Sequence, residues 1–114
     1  MPSHPKISQD PLYQLLRDEN VAEFNARRAK GDAADLRCVD LRGLDLRNMD
    51  VDGLDLTDAY FRGADLRGLD FRQAKIEGAS LVSANISGCY FPKELHAEEI
   101  LLSVTHGIRL RYRN

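Results

Sequence analysis

Every fifth residue from Leu36 to Phe91 is large and apolar. Cut into pentads from Ala34, the chain reads ADLRC, VDLRG, LDLRN, MDVDG, LDLTD, AYFRG, ADLRG, LDFRQ, AKIEG, ASLVS, ANISG and CYFPK. The central residues are Leu36, Leu41, Leu46, Val51, Leu56, Phe61, Leu66, Phe71, Ile76, Leu81, Ile86 and Phe91. Two residues before each stands another apolar one, from Ala34 and Val39 through to Ala84 and Cys89. The chain is 43% hydrophobic overall. Filling both positions in every pentad by chance would then have odds of roughly one in a billion, so the period is structural.

A period of five suits neither common element. An α-helix turns every 3.6 residues and would smear these residues around its surface. A continuous strand alternates every two, and an odd repeat would throw successive centres to opposite faces. The period makes sense if each pentad is a short extended piece followed by a turn. Its two apolar residues then point inward, and the polar residue between them, most often Asp, points out.

These pentads resemble the pentapeptide-repeat family, whose consensus is Ala-(Asp/Asn)-Leu-x-x. ADLRC at 34–38 and ADLRG at 64–68 match it outright, and the resemblance runs over 34–93, about half of the chain. It implies a mainly β fold, a right-handed quadrilateral parallel β-helix with four pentads per coil. Twelve pentads make about three coils, about 14 Å tall at the usual strand spacing. Inward residues should then stack in the columns Leu36–Leu56–Ile76, Leu41–Phe61–Leu81, Leu46–Leu66–Ile86 and Val51–Phe71–Phe91. Bulky Val39, Leu44 and Met49, where the family favours small residues, mark the coil that meets an N-terminal cap. A filled axis leaves no room for a cofactor, and none is expected.

At 114 residues the chain holds one domain. Residues 1–33 read as a helical cap at the open edge of the first coil, and 94–114 as a C-terminal helix and short strand. Asp10-Pro11 is an N-cap followed by proline at the first helical position, with Leu12, Leu15 and Leu16 as an apolar stripe. Asn20-x-x-Glu23 is a second helix start, carrying Val21 and Phe24 and closing at Gly31. A further helix is expected over 93–107, with Leu95, Ile100, Leu101, Leu102 and Val104, stopped by Gly107. Beyond it Ile108, Leu110 and Tyr112 alternate with Arg109, Arg111 and Arg113, the pattern of a short strand with one basic face.

No run reaches the eighteen or so apolar residues of a membrane helix. The start lacks the apolar stretch of a secretory signal, so a cytoplasmic protein is expected. Cys38, at a turn, and Cys89, at an inward position, are too few for a disulfide framework. With His4, His96 and His106 they make no metal-ligand spacing, and no metal site is expected. His-Glu-x-x-His, a Gly-rich phosphate loop and Gly-x-Ser-x-Gly are all missing. Carboxylates on a convex surface beside arginines lack the concave, desolvated setting that catalysis needs, and no enzyme activity is expected.

Sixteen Lys+Arg against eighteen Asp+Glu argue against nucleic-acid binding driven by net charge. Asp45, Arg47, Asp65 and Arg67 should form a ladder of interleaved signs in which no single-sign field develops. It is either a self-neutralising surface or a recognition face presenting Arg47 and Arg67. Arg109, Arg111 and Arg113 guard a strand edge or dock an acidic partner or phosphate. Ile100, Leu101, Val104, Ile108 and Leu110 are candidates for a homodimer interface, since longer proteins resembling this one dimerise through C-terminal helices. The expected function is a non-catalytic protein-binding or scaffold protein acting through the solenoid surface, as a homodimer. The resemblance also implies an alternative, regulation of DNA gyrase or another topoisomerase by DNA mimicry. A second alternative is weak binding of nucleic acid or an acidic partner through the C-terminal arginines.

Overall fold

Left-handed backbone at the fifth residue of nearly every pentad sets the path of the chain. In a computed structural model describing residues 5–113, φ is 63° at Cys38, 71° at Gly43, 69° at Asn48, 77° at Gly53 and 60° at Asp58. The series continues through Gly63, Gly68, Gly78, Ser83 and Gly88, and breaks only at Gln73 and Lys93. Most of these residues are third in a turn closed by a backbone bond, such as Leu54 N to Val51 O at 3.0 Å and Ala64 N to Phe61 O at 2.9 Å. Positive φ at the third residue is the mark of a type II turn, which glycine enters without strain. At Gly78 (φ 82°) sterics add a second demand, because a Cβ would run into the Asp58 carboxylate. His4 lies outside the described residues.

Between turns the chain pairs with itself in parallel at a separation of twenty. Asp40 bridges Tyr60 and Tyr60 bridges Ser80; Asp45, Asp65 and Asn85 form a second series; Asp55 bridges Lys75 and Asp70 bridges Tyr90. Hydrogen bonds run both ways along these stacks, as in Tyr60 N to Val39 O at 3.0 Å and Leu41 N to Tyr60 O at 2.9 Å. Every bridge is isolated, because a turn interrupts the pairing before it can extend.

The strand expected after Gly107 does not form either. Leu110 alone pairs, donating to Ala79 O at 2.9 Å and accepting from Gly78 N at 2.7 Å. The next N–H groups turn elsewhere, Tyr112 to Glu77 Oε2 at 3.4 Å and Arg113 to Glu94 O at 2.8 Å.

Every pentad centre from Leu36 to Leu81 is at most 2% exposed, and each such side chain contributes about 1.5–3 kcal/mol of transfer free energy. Phe71 meets Phe61 edge-on at 6.3 Å and stacks on Phe91 at 5.7 Å. Ile86 and Phe91 are only half-buried, so the last coil is less completely filled than its sequence columns imply.

Three helices flank the array: α1 (Pro11–Arg17), α2 (Val21–Ala29) and α3 (Ala97–His106). Asp10 caps α1 through Oδ1, which accepts from Leu12 N at 2.8 Å, and Asn20 caps α2 by accepting from Glu23 N at 3.3 Å. Leu12, Tyr13, Leu16, Val21 and Phe24 are buried. The same segment satisfies the first coil's open edge. Asp35 N donates to Asp10 Oδ2 at 3.1 Å, Asp40 N to Lys6 O at 2.9 Å, Asp45 N to Glu19 Oε2, and Asp50 N to Asn25 Oδ1 at 2.9 Å. Asn25 also gives Nδ2 to Asn48 O at 2.8 Å, so its amide stands in for a peptide group of an absent coil.

At the other end α3 starts four residues later than expected, after a turn from Pro92 to Leu95 and an extended His96. Gly107 ends it in the left-handed region. The third coil's donors find acceptors here. Ile76 N reaches Tyr112 Oη at 3.0 Å, Leu81 N reaches Ser103 Oγ at 2.9 Å, and Ser83 N reaches Val104 O at 2.9 Å.

Two stability measurements check this account. Asn25→Ala removes both edge bonds and should lower stability by about 1–2 kcal/mol, a fall in Tm of about 5–10 °C by circular dichroism; an unchanged Tm would mean that water satisfies that edge equally well. Both Gly43→Ala and Gly78→Ala should carry the left-handed strain of about 1–2 kcal/mol. Only Gly78→Ala adds the clash with Asp58, since nothing lies within 4 Å of a Cβ at Gly43, so it should unfold at the lower denaturant concentration.

Candidate interaction surface

An outward Asp and the Arg two residues after it form one unit. The carboxylate accepts from the backbone N–H of that second residue, at 3.0 Å for Arg42, 3.2 Å for Arg47 and Arg67, and 3.0 Å for Arg72. The guanidinium then closes on both carboxylate oxygens: Arg47 Nε lies 2.9 Å from Asp45 Oδ1, and Nη2 lies 2.7 Å from Oδ2. Arg42, Arg67 and Arg72 grip Asp40, Asp65 and Asp70 in the same bidentate way, the strong form of this contact. Hydrogen bonds from the guanidinium hold Asp45 and Asp70 down to about 2. The same cause lowers Asp40 and Asp65. Arg47 also reaches Asp65 at 3.5 Å, which completes the ladder expected from the sequence. Arg47 and Arg67 therefore sit on the outer surface, half-exposed and already paired.

The C-terminal arginines do not make a free basic stripe. Arg111 binds Glu99 at 2.8 and 2.9 Å, and Arg113 adds a contact at 3.1 Å. The Glu99 side chain is 2% exposed, and the Arg111 hydrogen bonds push its pKa below the usual carboxylate range. Arg109 donates to Gly78 O at 2.9 Å and Tyr60 Oη at 2.8 Å, lies 3.6 Å from Asp58 and crosses the Tyr60 ring.

Glu99 is a residue that the sequence reading did not single out. The available signal was its spacing of four from Ser103: those two polar residues are the buried ones of α3, facing the coil edge and the arginines that need acceptors. Of the apolar candidates, Leu101 is 63% and Ile108 42% exposed, and Ile100 and Val104 are half-buried. Leu110 is 1% exposed. Its pairing with Gly78 and Ala79 puts it inside the chain's own core, so it is unable to face a second copy.

Charge is less evenly interleaved than the sequence suggests. In the stack of residues 39–43, 59–63 and 79–83, Tyr60 and Ser80 stand above one another where Asp40 begins the column. Arg62 has no carboxylate two residues before it, and among the described residues its side chain makes no hydrogen bond or ion pair. The pentad AYFRG was the legible signal. Among the described residues no group of three or more His, Cys, Asp and Glu is placed to hold a metal. Cys38 and Cys89 are free thiols; Cys89 donates to Leu66 O at 2.9 Å, and burial raises its pKa. No helix among the described residues is long and apolar enough to cross a membrane.

Compared with known proteins, residues 55–91 match the family model for pentapeptide repeats (8 copies). No curated protein and no solved structure matches the chain. The match begins beyond the pentads whose Val39 and Met49 are buried near the N-terminal helices.

The carboxylates give a pH prediction of definite sign. Asp45 and Asp70 titrate near 2 when folded and near 3.9 when unfolded. Their contribution is complete above about pH 4 and is lost as pH falls toward 2. Carbon-detected NMR titration should place both midpoints near 2, and Arg47→Gln should return Asp45 toward its ordinary value while leaving Asp70 low.

Proposed function

This chain is a pentapeptide-repeat protein, and we propose that it is a non-catalytic protein-interaction module wound as a right-handed quadrilateral β-helix of about three coils. Turns every five residues and parallel bridges at a separation of twenty support four sides to a coil. The closed axis carries the functional reading: with every centre from Leu36 to Leu81 at most 2% exposed, chemistry is confined to the outside and the ends. On the outside, arginine keeps the paired aspartates ionised, which suits a fixed recognition surface better than proton transfer. The two free thiols fit a reducing compartment such as the cytoplasm.

The module works as a homodimer joined at its C-terminal end. Among the described residues the N–H groups of Ile86, Gly88 and Phe91 have no hydrogen-bond partner. Leu101 and Tyr90 are exposed in the same part of the chain, and Ile86, Phe91, Ile100 and Val104 are incompletely covered. An edge of that kind invites pairing. Mimicry of duplex DNA finds less support, since bidentate arginines neutralise the aspartates that would imitate phosphates.

Sedimentation equilibrium should show a dimer at micromolar concentration. Leu101→Asp should convert it to a monomer that keeps the wild-type circular dichroism spectrum, because that side chain is largely solvated within one chain; a wild-type monomer at this concentration would remove the dimer. The interaction reading itself is tested by passing native lysate over the immobilised chain. A partner retained in stoichiometric amount supports it, and an empty column sinks it.

A further inference from the structure

Arg62 is the one arginine of the repeats without a carboxylate of its own among the described residues. Arg37, Arg42, Arg47, Arg67 and Arg72 are each paired with the Asp two residues earlier. In AYFRG that place is taken by Tyr60, so the fork that four of the others close on an internal carboxylate is left open toward solvent. Two surface clefts meet at this residue. One is lined by Pro5, Arg42, Tyr60, Arg62, Ser80, Val82, Gly107 and Arg109; the other shares Arg42 and Arg62 and adds Arg17 and Asp40. Four arginines therefore line the pair of clefts against one carboxylate, Asp40, which Arg42 already holds at 2.9 and 3.0 Å. Arg17 is exposed, with a 3.3 Å contact to Asp40 O.

We propose that this stack, residues 39–43, 59–63 and 79–83 with Arg17 and Arg109 at its margins, docks an acidic segment of a partner protein. The proposal rests on the protein-interaction reading and assigns that interaction a side. Partner carboxylates occupy the place that Asp holds in neighbouring pentads and complete the bidentate geometry which the chain builds for itself elsewhere. Val82 and Pro5 supply apolar contact beside the charged groups.

The width of the patch selects an acidic peptide over a nucleic acid. Next along the chain from the stack, Asp35, Asp55, Asp58 and Glu77 outnumber Arg37 and Lys75, and Asp45, Arg47, Asp65 and Arg67 cancel one another. A single extended acidic segment meets the four arginines and the one carboxylate that Arg42 already holds, whereas the broad phosphate surface of a duplex also meets the carboxylates on the neighbouring sides.

The test is fluorescence anisotropy of a fluorescein-labelled oligoglutamate titrated with the full chain at low salt. Oligoglutamine, single-stranded DNA and duplex DNA are run in parallel. Oligoglutamate should bind and weaken as salt is added, and oligoglutamine should not bind. Arg62→Glu should weaken oligoglutamate binding about tenfold or more with an unchanged Tm, and Arg72→Gln should leave the affinity unaltered. The proposal is overturned if the wild type ignores oligoglutamate, if Arg62→Glu binds it equally well, or if either DNA binds more tightly. Lysate capture with both chains separates the two levels of the reading. Equal retention of one partner by wild type and Arg62→Glu removes this side and leaves the interaction module standing, while no retention by the wild type removes the module.

Discussion

Successive backbone groups in each coil point alternately to the coil before and the coil after, so every coil depends on a neighbour to complete its hydrogen bonds. Tyr60 faces the coil before, with its N–H bound to Val39 O and its carbonyl accepting from Leu41 N, while Phe61 N and Ala59 O on either side of it meet Ser80 of the coil after. Inside the array this satisfies polar groups that burial would otherwise leave unpaired. At the ends the same regularity becomes a deficit. The N-terminal segment meets it with a carboxylate, a carbonyl, a second carboxylate and an amide on Asp35, Asp40, Asp45 and Asp50. The helices are therefore part of the pairing scheme as well as an apolar cover.

The outward residues solve a separate problem. An Asp between two inward apolar residues would leave a row of carboxylates stacked coil upon coil, and repulsion would rise with each coil added. Placing Arg two residues later cancels the charge locally, and the same carboxylate also accepts the backbone N–H at the turn. Charge neutralisation and turn stabilisation thus come from one tripeptide, Asp-Leu-Arg. Where it is broken, as in AYFRG and ASLVS, the surface changes character. Departures from the repeat therefore carry more functional information than the repeat itself.

Much of this was legible because it depends on local rules. A period of five with two apolar positions can be read without knowing which residues meet across the coils, and so can the helix caps at Asp10 and Asn20. What escaped depends on pairing at long range. Asn25 looks like an ordinary helix residue until Asn48 and Asp50 are brought beside it. Glu99 looks like solvated helix surface until Arg111 and Arg113 fold back over it. The alternation after Gly107 suggested a strand with a free basic face, and the error was physical: Leu110 finds one pairing site at Gly78 and Ala79, and the arginines find partners within the chain.

The two ends differ in how completely they are closed, and that difference orders the possible modes of association. At the start all four outward Asp N–H groups of the first coil have acceptors. At the far end α3 and the tail reach Ile76, Gly78, Leu81 and Ser83 but leave Ile86, Gly88 and Phe91 without partners among the described residues. An unpaired edge favours another extended chain in register, whereas Arg62 and its neighbours favour charge without demanding register. The first kind of contact is selected by backbone geometry and suits a copy of the same repeat. The second is selected by side-chain chemistry and suits a different protein.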